Sequence, residues 1–209
     1  MKDNTVFYNI EKKLTGLKPG MKAQLTMVPD PRPGHKTFDE VKVSCLKAAV
    51  LVLLYHWKGR QYLVLTRRSD HMVHHQAQIS FPGGCQEYGE TVQQTALREI
   101  HEELGISPES IRILGELSPL FVPPSNYCIF PVVAGMNERP TFCPSYKEVA
   151  GVIEVPLDHL LDLRNVRRET WIINGIEVMV PFYLFKGYKI WGATAMVLAE
   201  FVELIGNMH

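Results

Sequence analysis

The apolar positions divide the chain into segments of different period. Val6, Ile10 and Leu14 recur at helical spacing and predict a short helix over 4–17. Pro29-Asp30-Pro31-Arg32-Pro33-Gly34 follows, and its prolines block both helix and ladder bonding, so an extended linker is expected there. The continuous apolar run 48–57 reads as a buried strand, turned by Lys58-Gly59-Arg60 into a second strand over 61–66. Val92, Ala96, Ile100 and Leu104 place an amphipathic helix over 91–104, stopped by Gly105. Further strands are expected at 111–118, 128–135 and 149–155. A hairpin is expected over 170–185 about Asn174-Gly175, a good type I′ pair. A last amphipathic helix over 193–205 would present Ala195, Leu198, Phe201 and Leu204 to the core. There is no internal repeat and no low-complexity tract. The mixed order of strands and helices predicts an α/β or α+β layered fold.

Composition narrows the class. The chain has 209 residues, 46% of them hydrophobic, enough for a real core. Its 22 basic residues balance its 22 acidic ones, so net charge recruits neither nucleic acid nor an anionic membrane surface. No apolar run approaches the length of a membrane span, and the N-terminus lacks a signal-peptide pattern. Cys45, Cys85, Cys128 and Cys143 lie far apart and form no CxxC pair, which argues against zinc. Such scattered thiols are expected to be reduced and buried, as in a cytoplasmic protein.

The chemistry concentrates in Gly84-Cys-Gln-Glu-Tyr-Gly-Glu90-Thr-Val-Gln-Gln-Thr-Ala-Leu-Arg98-Glu99-Ile-His-Glu102-Glu103-Leu-Gly105-Ile106. On a helix, Glu99, Glu102 and Glu103 share a face bordering the apolar stripe, so they should sit at the edge of the core. Three like charges there repel, increasingly so where water is scarce. A hard divalent cation would reverse the sign of that interaction, because carboxylate oxygens are its preferred ligands. Arg98 can reach back to Glu90 and brace the loop against the helix. Gly83 and Gly84 permit close backbone approach. Taken alone, Glu-x-x-Glu-Glu reads more readily as a solvated acidic face than as a metal site.

The whole segment, Gly-x5-Glu-x7-Arg-Glu-apolar-x-Glu-Glu-x-Gly-apolar, closely resembles the signature of the Nudix hydrolases. The resemblance implies an α/β/α sandwich with a mixed sheet, and hydrolysis of compounds in which a nucleoside diphosphate is joined to another group. It implies that Glu99, Glu102 and Glu103 hold magnesium or manganese, with the carbonyl of Gly83 as a further ligand. Arg98 and Glu90 join them as catalytic-segment residues, and Glu148 is the candidate base or additional ligand. Outside the signature, Leu65-Thr66-Arg67-Arg68-Ser69, His75 and Gln78-Ile79-Ser80-Phe81-Pro82-Gly83-Gly84 are similar to the coenzyme A diphosphatase branch. That branch implies cleavage of coenzyme A into 3′-phosphoadenosine 5′-phosphate and 4′-phosphopantetheine. Arg68, Ser69, His75, Gln78 and Phe81 would then bind substrate. Two positions depart from the branch: Val73 replaces an expected arginine and Ala77 an expected glycine. Other nucleoside diphosphate derivatives, or a non-catalytic nucleotide sensor, are the alternatives. The catalytic domain is expected over 46–209, with 1–45 as an N-terminal helix and proline-rich arm, and the protein is expected to be a homodimer.

Overall fold

The structure is a computed structural model that describes residues 3–32, 34, 36–69 and 78–206. His75, Val73 and Ala77 lie outside the described residues.

Strand β1 (Leu46–Trp57) is the centre of the fold. Its apolar run is continuous because both faces are covered. Leu51, Leu53 and Tyr55 pack on one side, and Val52 and Leu54 on the other. It turns through Lys58 and Gly59, with φ of 48° and 77°, into antiparallel β2 (Arg60–Arg68). Its other neighbour is β7 (Tyr127–Met136), aligned parallel from Leu46 opposite Tyr127 to Tyr55 opposite Met136. Around this pair lie β3 (Ile79–Ser80), β4 (Gly83–Cys85), β5 (Arg112–Glu116), β6 (Leu120–Val122) and β8 (Val149–Pro156). The described residues give one sheet of order β3-β2-β1-β7-β5, with β4 on the first half of β1, β6 on β7 and β8 on β2. A smaller antiparallel sheet contains β9 (Val166–Ile173), β10 (Ile176–Phe185) and β11 (Tyr188–Trp191). The hairpin between β9 and β10 has Asn174 and Gly175 at φ of 51° and 78°. This is the primed geometry the dipeptide predicted.

Helices cover both faces of the large sheet. The first helices are α1 (Asp3–Leu14), α2 (Gly20–Gln24) and α3 (Phe38–Val41). Then come α4 (Val92–Leu104), α5 (Leu157–Leu161) and α6 (Gly192–Gly206). On one face Ala96, Ile100 and Leu104 of α4 pack on Leu51, Leu53 and Val132. On the other face α1 and α6 pack together. Phe7, Ile10 and Leu14 of α1 are buried there, and the Phe7 ring lies where a side chain on Gly135 would be. Lys13 Nζ donates to the carbonyl of Leu204 at 2.8 Å, tying α1 to α6. The layers are helix, mixed sheet, helix.

Two sequence expectations are corrected. Helix α6 is not an amphipathic surface helix: Ala195 through Val202 are all buried, Glu200 included. The side that would otherwise meet water is covered by α1, α2 and the second sheet, all of which contact it. The cysteines are not uniformly reduced and buried either. Cys45 and Cys128 form a disulfide across 83 positions, with Cα atoms 5.8 Å apart, while Cys85 and Cys143 are free and exposed. The physical cause is the parallel β1–β7 pairing. It sets Lys47 opposite Cys128 and so brings the two sulfurs together at the start of both strands. Reduced thiols therefore no longer support a cytoplasmic setting.

Candidate active site

Helix α4 is fixed at both ends by local chemistry. Thr91 and Gln94 form a reciprocal capping box, and Gly105, at φ 68°, closes the other end by donating its N–H to the carbonyl of His101. With Ala96, Ile100 and Leu104 anchored in the core, the acidic edge has only one place to go. It meets β4. Glu103 is 4% exposed. The side chain of Glu99 is 13% exposed and that of Glu102 51%, so burial is graded along the edge.

The two glycines of β4 make this approach possible. A Cβ on Gly84 would stand 2.4 to 2.7 Å from the carboxylate atoms of Glu99. A Cβ on Gly83 would stand 2.3 Å from the carbonyl oxygen of Ala49, and Gly83 has φ of 153°. Gly83 also donates its N–H to Glu103.

Arg98 ties the loop to the helix. Its Nε donates to Glu90 Oε1 at 2.8 Å and its Nη2 to Glu90 Oε2 at 3.2 Å and to the carbonyl of Cys85 at 3.0 Å. Its Nη1 reaches Glu99 Oε1 at 2.9 Å and Glu102 Oε2 at 3.0 Å. Glu90 further accepts from Thr95 Oγ1 at 2.7 Å and from the N–H of Glu87 at 3.1 Å. The Arg98 hydrogen bonds, helped by Thr95 and Glu87, hold the Glu90 carboxyl down to about 2. The same contacts, led by Glu90, raise Arg98 above the ordinary arginine range.

The electrostatics of the deeper carboxylates run the other way. Burial pushes Glu103 up to about 8; the Arg68 guanidinium and the Gly83 N–H oppose the shift, while Glu99 and Glu148 add to it. Burial also raises Glu99, against the pull of Arg98. Glu103 Oε2 accepts no hydrogen bond from the described residues. Such an oxygen is costly to bury unless something pairs with it. A desolvated, unpartnered carboxylate oxygen facing two further acids is a donor set suited to a hard divalent cation. Among the described residues the acids are not already gathered round one point, because Arg98 holds Glu99 and Glu102.

The remaining candidates fall into two groups. Arg68, Ser69, Gln78 and Glu148 converge on the same end of the sheet. Arg68 lies at a bulge opposite Val149, and its N–H donates to the carbonyl of Gln78 at 3.0 Å. The Ser69 N–H donates to the carbonyl of Glu148 at 2.8 Å. Phe81, by contrast, is 3% exposed and packs in the core on the α6 side. Cys85 was not singled out by the sequence reading. Its carbonyl is a partner of Arg98, and its sulfur lies 3.0 Å from Tyr127 Oη. The signal available was its position directly after Gly84. Thr95, fully buried against Glu90, was also missed, because a threonine inside a helix reads as packing.

Comparison with known proteins gives the family. The family model described as NUDIX domain matches residues 46–172. The protein named "Uncharacterized Nudix hydrolase NudL" from Yersinia enterocolitica is 34% identical over 162 residues, covering 76% of this chain and 80% of that protein. Its namesake from Yersinia pestis (strain Pestoides F) is 32% identical over 160 residues, covering 76% and 79% respectively. A solved structure described as a Nudix hydrolase from M. smegmatis, RenU, matches with a TM-score of 0.56 at 18% identity. The match covers 78% of this chain and 88% of that one, a likeness of fold.

Proposed function

The chain belongs to the Nudix family, and from that premise we propose that it cleaves the diphosphate of coenzyme A or an acyl-coenzyme A. It is a Nudix hydrolase, a pyrophosphohydrolase of nucleoside diphosphate derivatives, and enzymes of this family use divalent metals. The finer assignment rests on Arg68-Ser69 and Gln78-Ile79-Ser80-Phe81-Pro82-Gly83-Gly84, which resemble the coenzyme A branch and lead straight into the acidic edge of α4. The observation that carries the metal site is the buried Glu103 carboxylate with an unpartnered oxygen, beside Glu99 and facing the glycines of β4.

In this reading Glu99, Glu102 and Glu103 hold magnesium or manganese, with the Gly83 carbonyl beside them. A bound divalent ion offsets the diphosphate charge and lowers the pKa of a water. The chain supplies the rest. Arg98 keeps two of the acids oriented while holding β4 through the Cys85 carbonyl, and Glu90 locks Arg98 in place. Arg68 presents a planar guanidinium suited to a phosphate. Glu148, the nearby acid outside the helix, is assigned the water's proton. His75 is retained as a substrate residue of the same segment. A homodimer completes the proposal. Ile172 and Met179 are exposed and, by register, share one face of the β9–β10 hairpin, which gives a second copy an apolar surface. Among the described residues no helix is long and apolar enough to cross a membrane.

Val73 and Ala77, in place of the branch's arginine and glycine, favour a second reading: a different nucleoside diphosphate derivative, cleaved by the same machinery. One assay separates the two. Coenzyme A, acetyl-coenzyme A, ADP-ribose, a nucleotide sugar and a nucleoside triphosphate are incubated with the protein and magnesium or manganese, and products are identified by mass. We expect 4′-phosphopantetheine and 3′-phosphoadenosine 5′-phosphate from coenzyme A. Turnover confined to the other compounds would overturn the coenzyme A assignment.

A further inference from the structure

Thr91 is the N-cap of α4, so Glu90 stands one position before the cap and Thr95 four positions after it. A helix start often sets an apolar pair at these two places, and the pair staples the incoming chain. Here the pair is polar and still kept from water. Thr95 is 0% exposed and the Glu90 side chain 18%. Thr95 Oγ1 donates to Glu90 Oε2 at 2.7 Å. The helix start thus gives up an apolar contact for a hydroxyl–carboxylate bond.

The hydroxyl does not need that carboxylate for its own sake. The carbonyl of Thr91 lies 3.2 Å from Thr95 Oγ1 and is the usual acceptor for a threonine inside a helix. The shorter bond goes to Glu90. Glu90, by contrast, needs donors, because a carboxylate drawn out of water is costly unless its oxygens are bonded. Its Oε1 accepts from Arg98 Nε at 2.8 Å. Its Oε2 accepts from Thr95 Oγ1, from the Glu87 N–H at 3.1 Å and from Arg98 Nη2 at 3.2 Å. The Thr95 bond is the shortest of those three and comes from beside the core anchor Ala96, whereas Glu87 lies in the exposed loop.

Arg98 carries this fixation to the acidic edge. Thr95 and Arg98 are three apart and share a face of α4. A guanidinium is a rigid planar fork, so seating its Nε and Nη2 on Glu90 fixes where Nη1 lies. Nη1 meets Glu99 Oε1 at 2.9 Å and Glu102 Oε2 at 3.0 Å. A divalent ion on Glu99 and Glu102 competes for the same two oxygens. Arg98 then keeps Glu90 and the Cys85 carbonyl, and of these only Glu90 takes two of its nitrogens. The orientation of Arg98 beside a bound ion therefore depends on Glu90, and that of Glu90 on the hydroxyl.

We propose that Thr95 is a positioning residue of the site: its hydroxyl fixes Glu90 so that Arg98 stays seated on the loop while Glu99 and Glu102 serve the metal. This rests on the reading of those acids as metal ligands and does not depend on which substrate is cleaved. Thr95→Val keeps the shape of the side chain without the hydroxyl, and Thr95→Ser restores the hydroxyl. Thr95→Ala gives the same comparison if the valine variant does not fold. The first readout is the Arg98 Nε–H resonance of the isotope-labelled, metal-free protein, assigned by its absence from Arg98→Lys. It should exchange slowly with water in the wild type and in Thr95→Ser, and rapidly in Thr95→Val. The second is manganese affinity by electron paramagnetic resonance without substrate, which should fall by about tenfold in Thr95→Val and recover in Thr95→Ser. Slow Nε–H exchange in the folded valine variant overturns the proposal. So does unchanged manganese affinity, a lowered melting temperature alone, or a loss that Thr95→Ser does not reverse. If the wild type takes up no manganese while Nε–H exchange follows the hydroxyl, the metal reading fails and the seating of Arg98 by Thr95 stands. If manganese binds the wild type and the valine variant alike, with Nε–H exchange unmoved, the metal reading stands and the role of Thr95 fails.

Discussion

Glu103 and Glu90 lie on one helix and its leading loop, yet their environments drive their protons in opposite directions. Glu103, buried without a partner for one oxygen, keeps its proton up to about pH 8 in the metal-free protein, against an ordinary value of 4.5. Between those values the folded state binds more protons than the unfolded chain, so stability falls as pH rises from 4.5 towards 8. Glu90, held down to about 2 by Arg98, contributes stability that is present above 4.5 and lost as pH falls towards 2. If Glu103 holds the metal as proposed, a divalent ion competes with its proton, and the ion's affinity should rise by about tenfold per pH unit below 8. Thermal unfolding in chelator should therefore give a melting temperature that declines from pH 5 to pH 8, and magnesium should restore more of it at pH 8 than at pH 5. Glu103→Gln should flatten that decline. An unchanged slope in the variant would mean that another group titrates.

The loop–helix element depends on backbone approach as much as on charge. A methyl group on Gly84 first meets the Glu99 carboxylate, the end of a flexible side chain, whereas one on Gly83 first meets the backbone of Ala49 and Val50. Gly84→Ala should thus displace Glu99 and cut kcat by at least about tenfold with little change in melting temperature. Gly83→Ala, strained at its positive φ as well, should lower stability by about 1–3 kcal/mol, read from the denaturation midpoint. Equal effects of the two on both measurements would contradict the contact pattern. This element was largely legible in the sequence. Its helix period, the Gly105 stop, the glycines and the Glu90–Arg98 spacing all fall within about two dozen consecutive residues, where spacing alone sets which groups meet. The convergence of Arg68, Ser69 and Gln78 with Glu148 was not legible from spacing. It follows from β2 pairing with β8, residues some 80 positions apart, and only the family resemblance pointed to it.

In the molecule as a whole, what the sequence concealed was long-range closure. Helix α1 was foreseen from Val6, Ile10 and Leu14, but nothing in that period says it packs over β7 with Phe7 against Gly135. Helix α6 read as amphipathic because the α1–α2 layer that covers it is remote in sequence. The disulfide between Cys45 and Cys128 is the clearest case, since no spacing rule joins cysteines 83 apart. A loop of that length contributes about 4–5 kcal/mol in the chain-entropy treatment. Reductant should therefore lower the denaturation midpoint measurably, and Cys45→Ser/Cys128→Ser should be insensitive to it. No reductant effect on the wild type would show that the bridge does not form in solution. The α4 anchors and the β4 glycines set Glu99, Glu102 and Glu103 along one edge of the sheet, and the central proposal is that a divalent ion binds there. Manganese binding followed by electron paramagnetic resonance at pH 8 tests this directly, comparing the wild type with Glu99→Gln/Glu102→Gln/Glu103→Gln. The wild type should take up the ion, and the folded triple variant should bind it at least about 100-fold more weakly. A folded triple variant that binds manganese as tightly as the wild type would contradict the assignment.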